Sequence, residues 1–179
     1  MLLDLLRWMG EGDKMVLLTD SWERPVFRNA ILDAAVEEGR LSVQPSRSIM
    51  RASGRFDPEA FLRSLIQEVT LSSEEGHTHT VLVWEADWAA SSEEDSRSVA
   101  EFGAHLSLAR LPGAPTIVVQ YGTRAFSPRQ TEMHRRSNQL VLEAGALTRN
   151  FWVVSTQSFD RRMSARMAEV AGNIGQSGR

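Results

Sequence analysis

Apolar and polar positions alternate along this chain in a way that predicts strands and helices in turn. Residues 2–10 place Leu2, Leu5, Leu6 and Met9 at helical spacing, with Gly10 and Gly12 ending the helix. Met15 to Leu18 read as a short buried strand closed by Thr19 and Asp20. Asp20 to Glu23 offer a helix start, and Val26, Ile31, Ala34 and Ala35 suit a packed helix to about Glu38, with Gly39 as its stop. Leu41 to Gln44 predict a second strand ended by Pro45, and residues 46–53 a polar, basic loop or short helix. Asp57 and Pro58 mark the cap and first position of a helix whose buried face is Phe61, Leu62, Leu65, Ile66 and Val69.

A surface turn at 72–76 leads to the stretch 80–88, an apolar strand that leaves into two carboxylates flanked by two tryptophans. A helix follows from the acids at 93–95, carrying Val99, Phe102, Leu106 and Leu108. Residues 116–121 are the strongest strand pattern; Pro128 to about Asn138 predict a polar helix, and Leu140 to Leu142 are ambiguous. Residues 151–154 predict a last strand. Met163, Met167, Val170, Ala171 and Ile174 then recur at three- and four-residue steps on an Arg-rich helix. Such a stripe packs on its own domain or on a second copy. Strands alternating with helices indicate βα units and a mostly parallel sheet. The expected organisation is one α/β domain over 1–157, an amphipathic helix over 158–175 and a disordered tail over 176–179.

Composition narrows the possibilities. With 179 residues the chain suits one domain that buries roughly 70% of its unfolded surface. Hydrophobic residues make up 42% and charged residues 24%, ordinary proportions for a globular protein. The net charge of −3 lacks the basic field expected of direct nucleic-acid binding. Cysteine is absent, which excludes disulfides, thiolate metal sites and cysteine nucleophiles and is compatible with a cytoplasmic setting. No apolar run approaches the roughly 20 residues of a bilayer span, and the amphipathic opening does not look like a signal peptide.

Candidate chemistry gathers at strand ends. In an open α/β sheet, ligands sit beyond the carboxyl ends of the strands. Trp84, Glu85, Asp87 and Trp88 fall at one such end, and Gln120 and Tyr121 at another. If the two strands are adjacent, aromatic walls and a few polar tips describe a small-molecule pocket; core packing is the competing account. Glu85 and Asp87 also suggest an acid–base or metal-binding pair, and a cap or ion-pair role is the plainer alternative. Gly10, Gly12 and Lys14 do not make a phosphate loop, because acids intervene and the lysine enters a strand. His77 and His79 lie roughly 20 Å from Glu85 at strand rise, too far to share a metal. Together with the isolated His105 and His134, they read as surface residues, and no metal or cofactor is expected.

Several short motifs, in order, resemble the methanogen/methylotroph sensory (MEDS) family. They are Gly39 with Leu41 and Val43, the run Gly54, Arg55, Phe56, Asp57, Pro58, and the strand end Trp84 to Trp88. Glu101 with Phe102, Gln120 with Tyr121, and Asn150 with Phe151 and Trp152 continue the series. The chain departs from the pattern at Trp84, where the family has Gly, and at Val119, Gly122, Gly103 and Asn138. It also opens at the first helix, where the family has a preceding strand. The resemblance implies a three-layer α/β fold, RecA/KaiC-like without a working phosphate loop, with helices on both faces of the sheet. It implies a non-catalytic sensory domain that binds a small organic ligand through Glu85, Trp88, Gln120 and Tyr121, with Trp84 and Asp87 beside them, and signals to a partner or output protein. The alternative is an interaction module, homodimeric or partner-switching, whose pocket Trp84 fills and whose surface is Met163, Met167, Val170 and Ile174.

Overall fold

The computed structural model describes residues 2–24, 29–46, 56–106, 109–122, 124–138, 140–143 and 146–149. Helix α1 (Leu2–Trp8) leads into strand β1 (Asp13–Leu18), helix α2 (Ala30–Glu37) and strand β2 (Leu41–Gln44). Helix α3 (Pro58–Glu74), strand β3 (His79–Glu85), a 3-10 turn (Asp87–Ser91), helix α4 (Glu93–Leu106) and strand β4 (Thr116–Gln120) follow. Helix α5 (Pro128–Ser137) and strands β5 (Leu140–Glu143) and β6 (Ala146–Arg149) complete the described chain. Four strands form a parallel sheet in the order β2-β1-β3-β4, and β5 pairs with β6 as an antiparallel hairpin. This is the expected α/β architecture.

The inner strands β1 and β3 bury both faces, and their side chains alternate between two cores. On one face Met15, Leu17, Leu41, Val81 and Val83 meet Leu6 of α1 and Leu32 and Ala35 of α2. On the other, Val16, Leu18, Leu82 and Trp84 meet Phe61, Leu62, Leu65, Ile66 and Val69 of α3 and Val99, Phe102 and Leu106 of α4. Helices therefore cover both faces, which gives the three layers.

Local signals explain most element boundaries. Asp57 Oδ1 accepts from the amides of Glu59 and Ala60 at 3.0 Å each, and Pro58 opens α3. Ser127 and Gln130 form a reciprocal capping box at α5. Gly39 takes φ 73 beyond α2, a left-handed turn that favours glycine.

One boundary differs from the sequence pattern. Helix α2 does not start at Asp20; its cap is Asn29, which accepts from the Ile31 amide at 2.9 Å. Thr19, Asp20 and Ser21 bond into the loop instead. Ser21 N donates to Thr19 Oγ1 at 2.9 Å, and Ser46 Oγ donates to Asp20 Oδ2 at 2.9 Å. The ambiguous residues 140–142 are strand β5. Leu108, the predicted strand 151–154 and the helix with Met163, Met167, Val170 and Ile174 lie outside the described residues. Among the described residues no helix is long and apolar enough to cross a membrane.

Candidate functional site

The sheet order creates one topological switch. From β1 the chain moves to β2 on one side, while β3 and β4 lie on the other. The crevice of an open α/β sheet sits at that reversal, beyond the carboxyl ends of β1 and β3. Leu18 is in register with Trp84, and Glu85 is in register with Gln120. Thr19, the next residue of the first chain segment, is therefore level with Glu85. Thr19 Oγ1 donates to Glu85 Oε2 across the switch. The same oxygen accepts from Ser21 N, and Thr19 N donates to Gln44 O at 2.9 Å. Thr19 is buried, whereas Glu85 and Gln120 remain half-buried. A polar row, Thr19–Glu85–Gln120, thus crosses the sheet ends.

Asp87 is occupied differently. Its Oδ1 accepts from Gly122 N at 2.5 Å, and Ala86 N donates to Gln120 O at 3.0 Å. A Cβ on Gly122 would stand 2.5 Å from Asp87 Oδ2. The carboxylate therefore ties the loop after β3 to the loop after β4, and the missing side chain at 122 lets the two approach.

The aromatic candidates lie on the α3/α4 side. Trp84 is only 1% exposed, with its ring centroid 4.5 Å from Phe61, 6.0 Å from Phe56 and 6.2 Å from Phe102. Trp88 is half-buried, 5.8 Å from Phe56. Tyr121 stacks on His134 at 4.2 Å, and Phe126 meets both rings edge-on, at 5.6 Å and 5.0 Å. Burial pushes the Tyr121 phenol up, opposed by its contact with Asn138. His134 shares a 2.9 Å hydrogen bond between Nε2 and Ser96 Oγ, and burial lowers its pKa to about 4. The pleat thus separates the predicted set. Glu85 and Gln120 join Thr19, Trp84 and Tyr121 pack beneath the strand ends, and Asp87 braces the loops.

The histidine expectation needs correction. His134 and His105 are 2% and 8% exposed, not surface residues. An isolated histidine in a polar helix carries no burial signal; the packing of α5 on α4 supplies it. His79 Nε2 lies 2.9 Å from Oγ1 of Thr116, the first residue of β4. No group of three metal-ligating side chains converges among the described residues. Lys14 ion-pairs with Glu75 at the amino end of the sheet, and that bond holds the Glu75 carboxyl below the usual range. Sequence reasoning missed Thr19 as a site residue. Its place at the end of an apolar strand was visible, but its position level with Glu85 depends on strand order.

A family model described as MEDS, the MEthanogen/methylotroph, DcmR Sensory domain, matches residues 9–137. The chain belongs to the MEDS family. The matched span holds the four described strands of the parallel sheet, together with Thr19 and the six candidates at the strand ends. As a MEDS chain it has a sensory role. Comparisons with curated proteins and with solved structures gave no match.

Proposed function

We propose that this MEDS chain senses a small organic ligand held beyond the carboxyl ends of β1, β3 and β4, and passes the signal to a partner or output protein. The observation that carries this reading is the Thr19–Glu85 pair at the topological switch, with Gln120 level beside it. Glu85 offers a half-exposed acceptor, and Thr19 and Gln120 add a hydroxyl and an amide. These groups fix the polar end of a ligand. Trp88 supplies half-buried aromatic surface in the turn after β3; Trp84 and Tyr121 pack on the opposite face and stiffen the strand ends, and Asp87 holds the two loops in place. No bond is made or broken in this reading. A ligand donor competes with Thr19 for Glu85, and a ligand that prefers one loop arrangement shifts the population toward it.

The test is thermal unfolding against a panel of small alcohols, amines and halogenated hydrocarbons, with native mass spectrometry of the protein as purified. A ligand at a hundred times its Kd stabilises the fold by about 2.7 kcal/mol. Glu85→Gln should remove most of that shift while leaving the unliganded chain folded. A ligand that shifts wild type and Glu85→Gln equally binds elsewhere. A panel without any hit, from protein carrying no excess mass, would reject the proposal.

A second reading, an interaction module, is favoured by Trp84. Its indole and the rings of Phe56, Phe61 and Phe102 fill the space beneath the strand ends. The surface would then be the stripe Met163, Met167, Val170 and Ile174, meeting a second copy or a regulatory partner. A dimer that dissociates on Met167→Glu supports this reading; a monomer at all accessible concentrations removes its self-associating form.

A further inference from the structure

Lys14 is the only lysine in the chain, and it stands where an apolar residue would be expected. It lies in β1, ahead of Met15, Val16, Leu17 and Leu18, and is itself 8% exposed. Its ammonium donates to Glu75 Oε2, just past the end of α3, and His77 Nε2 lies 3.7 Å from the same oxygen. Among the described residues that carboxylate is the one acceptor that Lys14 Nζ reaches. A lysine ammonium carries three donors, and a donor left unmatched out of water is costly. The Glu75 side chain, by contrast, is 51% exposed. A buried cation is thus satisfied only in part, by a carboxylate that is itself half in solvent.

A cavity of about 510 Å³ adjoins this pair. It runs along β2 from Lys14, at the amino end of β1, to Trp22, beyond the carboxyl end of the same strand. Strand β2 has four residues, roughly 13 Å at strand rise, so a ligand that reaches both ends is elongated. Trp22, Val36, Leu41 and Val43 give the cavity apolar walls, and Ser42 and His77 add polar groups to its lining. Small-molecule cavities combine such walls with a few placed polar groups. Here a cation stands at one end and an indole at the other. Thr19, Glu85 and Gln120 are not part of this lining.

We propose that this cavity binds a medium-chain carboxylic acid as its anion, with the carboxylate on Lys14 and the hydrocarbon tail along β2 toward Trp22. The headgroup follows from Lys14, which already holds a carboxylate of the chain itself. Glu75 occupies the place of the ligand headgroup, and the incoming anion displaces it. The tail follows from the walls, where apolar surface leaves water. This site is separate from the crevice at the strand carboxyl ends and does not rest on the ligand reading given for it.

Octanoate is the probe, titrated into the full isotope-labelled chain and followed by amide chemical shifts. The amides of Lys14, Ser42 and His77 should move saturably, whereas octanol, octylamine and acetate at the same concentration leave them in place. Glu75→Gln releases Lys14 from its internal partner and should tighten octanoate binding by about fivefold, the return expected from an ion pair of this exposure. Lys14→Met should abolish binding in a chain that keeps the spectrum of a folded protein. Because Glu75 is half in solvent, its variant tests the site even if Lys14→Met does not fold. No saturable shift at the three amides, equal shifts from octanol, or unchanged or weaker binding by Glu75→Gln overturns the proposal. Shifts centred on Thr19, Glu85 and Gln120 would place the anion in the other crevice and would also overturn it.

Discussion

The contact between Asp87 and Gly122 shows how much rests on one absent side chain. The two residues lie 35 apart in the chain, and the carboxylate reaches the Gly122 amide because nothing occupies the space between them. Gly122→Ala should push Asp87 off that amide and separate the loops after β3 and β4. The cost combines overpacking with a lost charge-assisted hydrogen bond, about 1–3 kcal/mol, and is measured by urea unfolding. An unchanged midpoint would show that Asp87 does not brace these loops. Neither residue announced this role in sequence. Asp87 read as a member of a carboxylate pair, and Gly122 as a departure from the family pattern, because pairing across two strands is invisible before their adjacency is known.

Among the elements, β3 and the 3-10 turn after it carry the clearest contrast. Trp84 and Trp88 looked alike as residues flanking two acids. The strand buries the first against three phenylalanine rings and releases the second, half-buried, into the turn. Trp84→Ala should cost about 3–5 kcal/mol, as large core truncations do, and Trp88→Ala clearly less. Equal losses in chemical denaturation would mean that both rings serve the core alike. The element types themselves were legible: α3 from Asp57 and Pro58, β4 from its apolar run, α5 from its proline. Helix α2 was misplaced at its start because Asp20 satisfies the same chemistry as a cap by bonding to Ser46, a partner that sequence alone does not bring near.

For the whole molecule, two buried histidines contribute to the response to acid. In the folded chain His134 takes a proton only near pH 4, because burial penalises the imidazolium, while its ordinary value is 6.5. Between those limits the unfolded chain binds more protons, so stability falls as pH drops from about 6.5 toward 4. The full difference corresponds to about 3 kcal/mol. Burial lowers His105 in the same direction. His134→Gln removes one titration, so its unfolding midpoint should fall less than that of wild type between pH 7 and pH 4.5. Identical losses would show that His134 does not control the acid limb.

By itself the sequence determined the alternation of strands and helices, the apolar faces, the Asp57–Pro58 helix start and the sensory family. Those follow from near-neighbour periodicity and local hydrogen bonding, which the order of residues states directly. Only the tertiary structure decided that the sheet runs β2-β1-β3-β4, that Thr19 meets Glu85 at its switch, and that Trp84 and Tyr121 lie on the other side from Glu85 and Gln120. Strand order and register are long-range choices made by packing two cores at once, and no local pattern encodes which strand ends become neighbours.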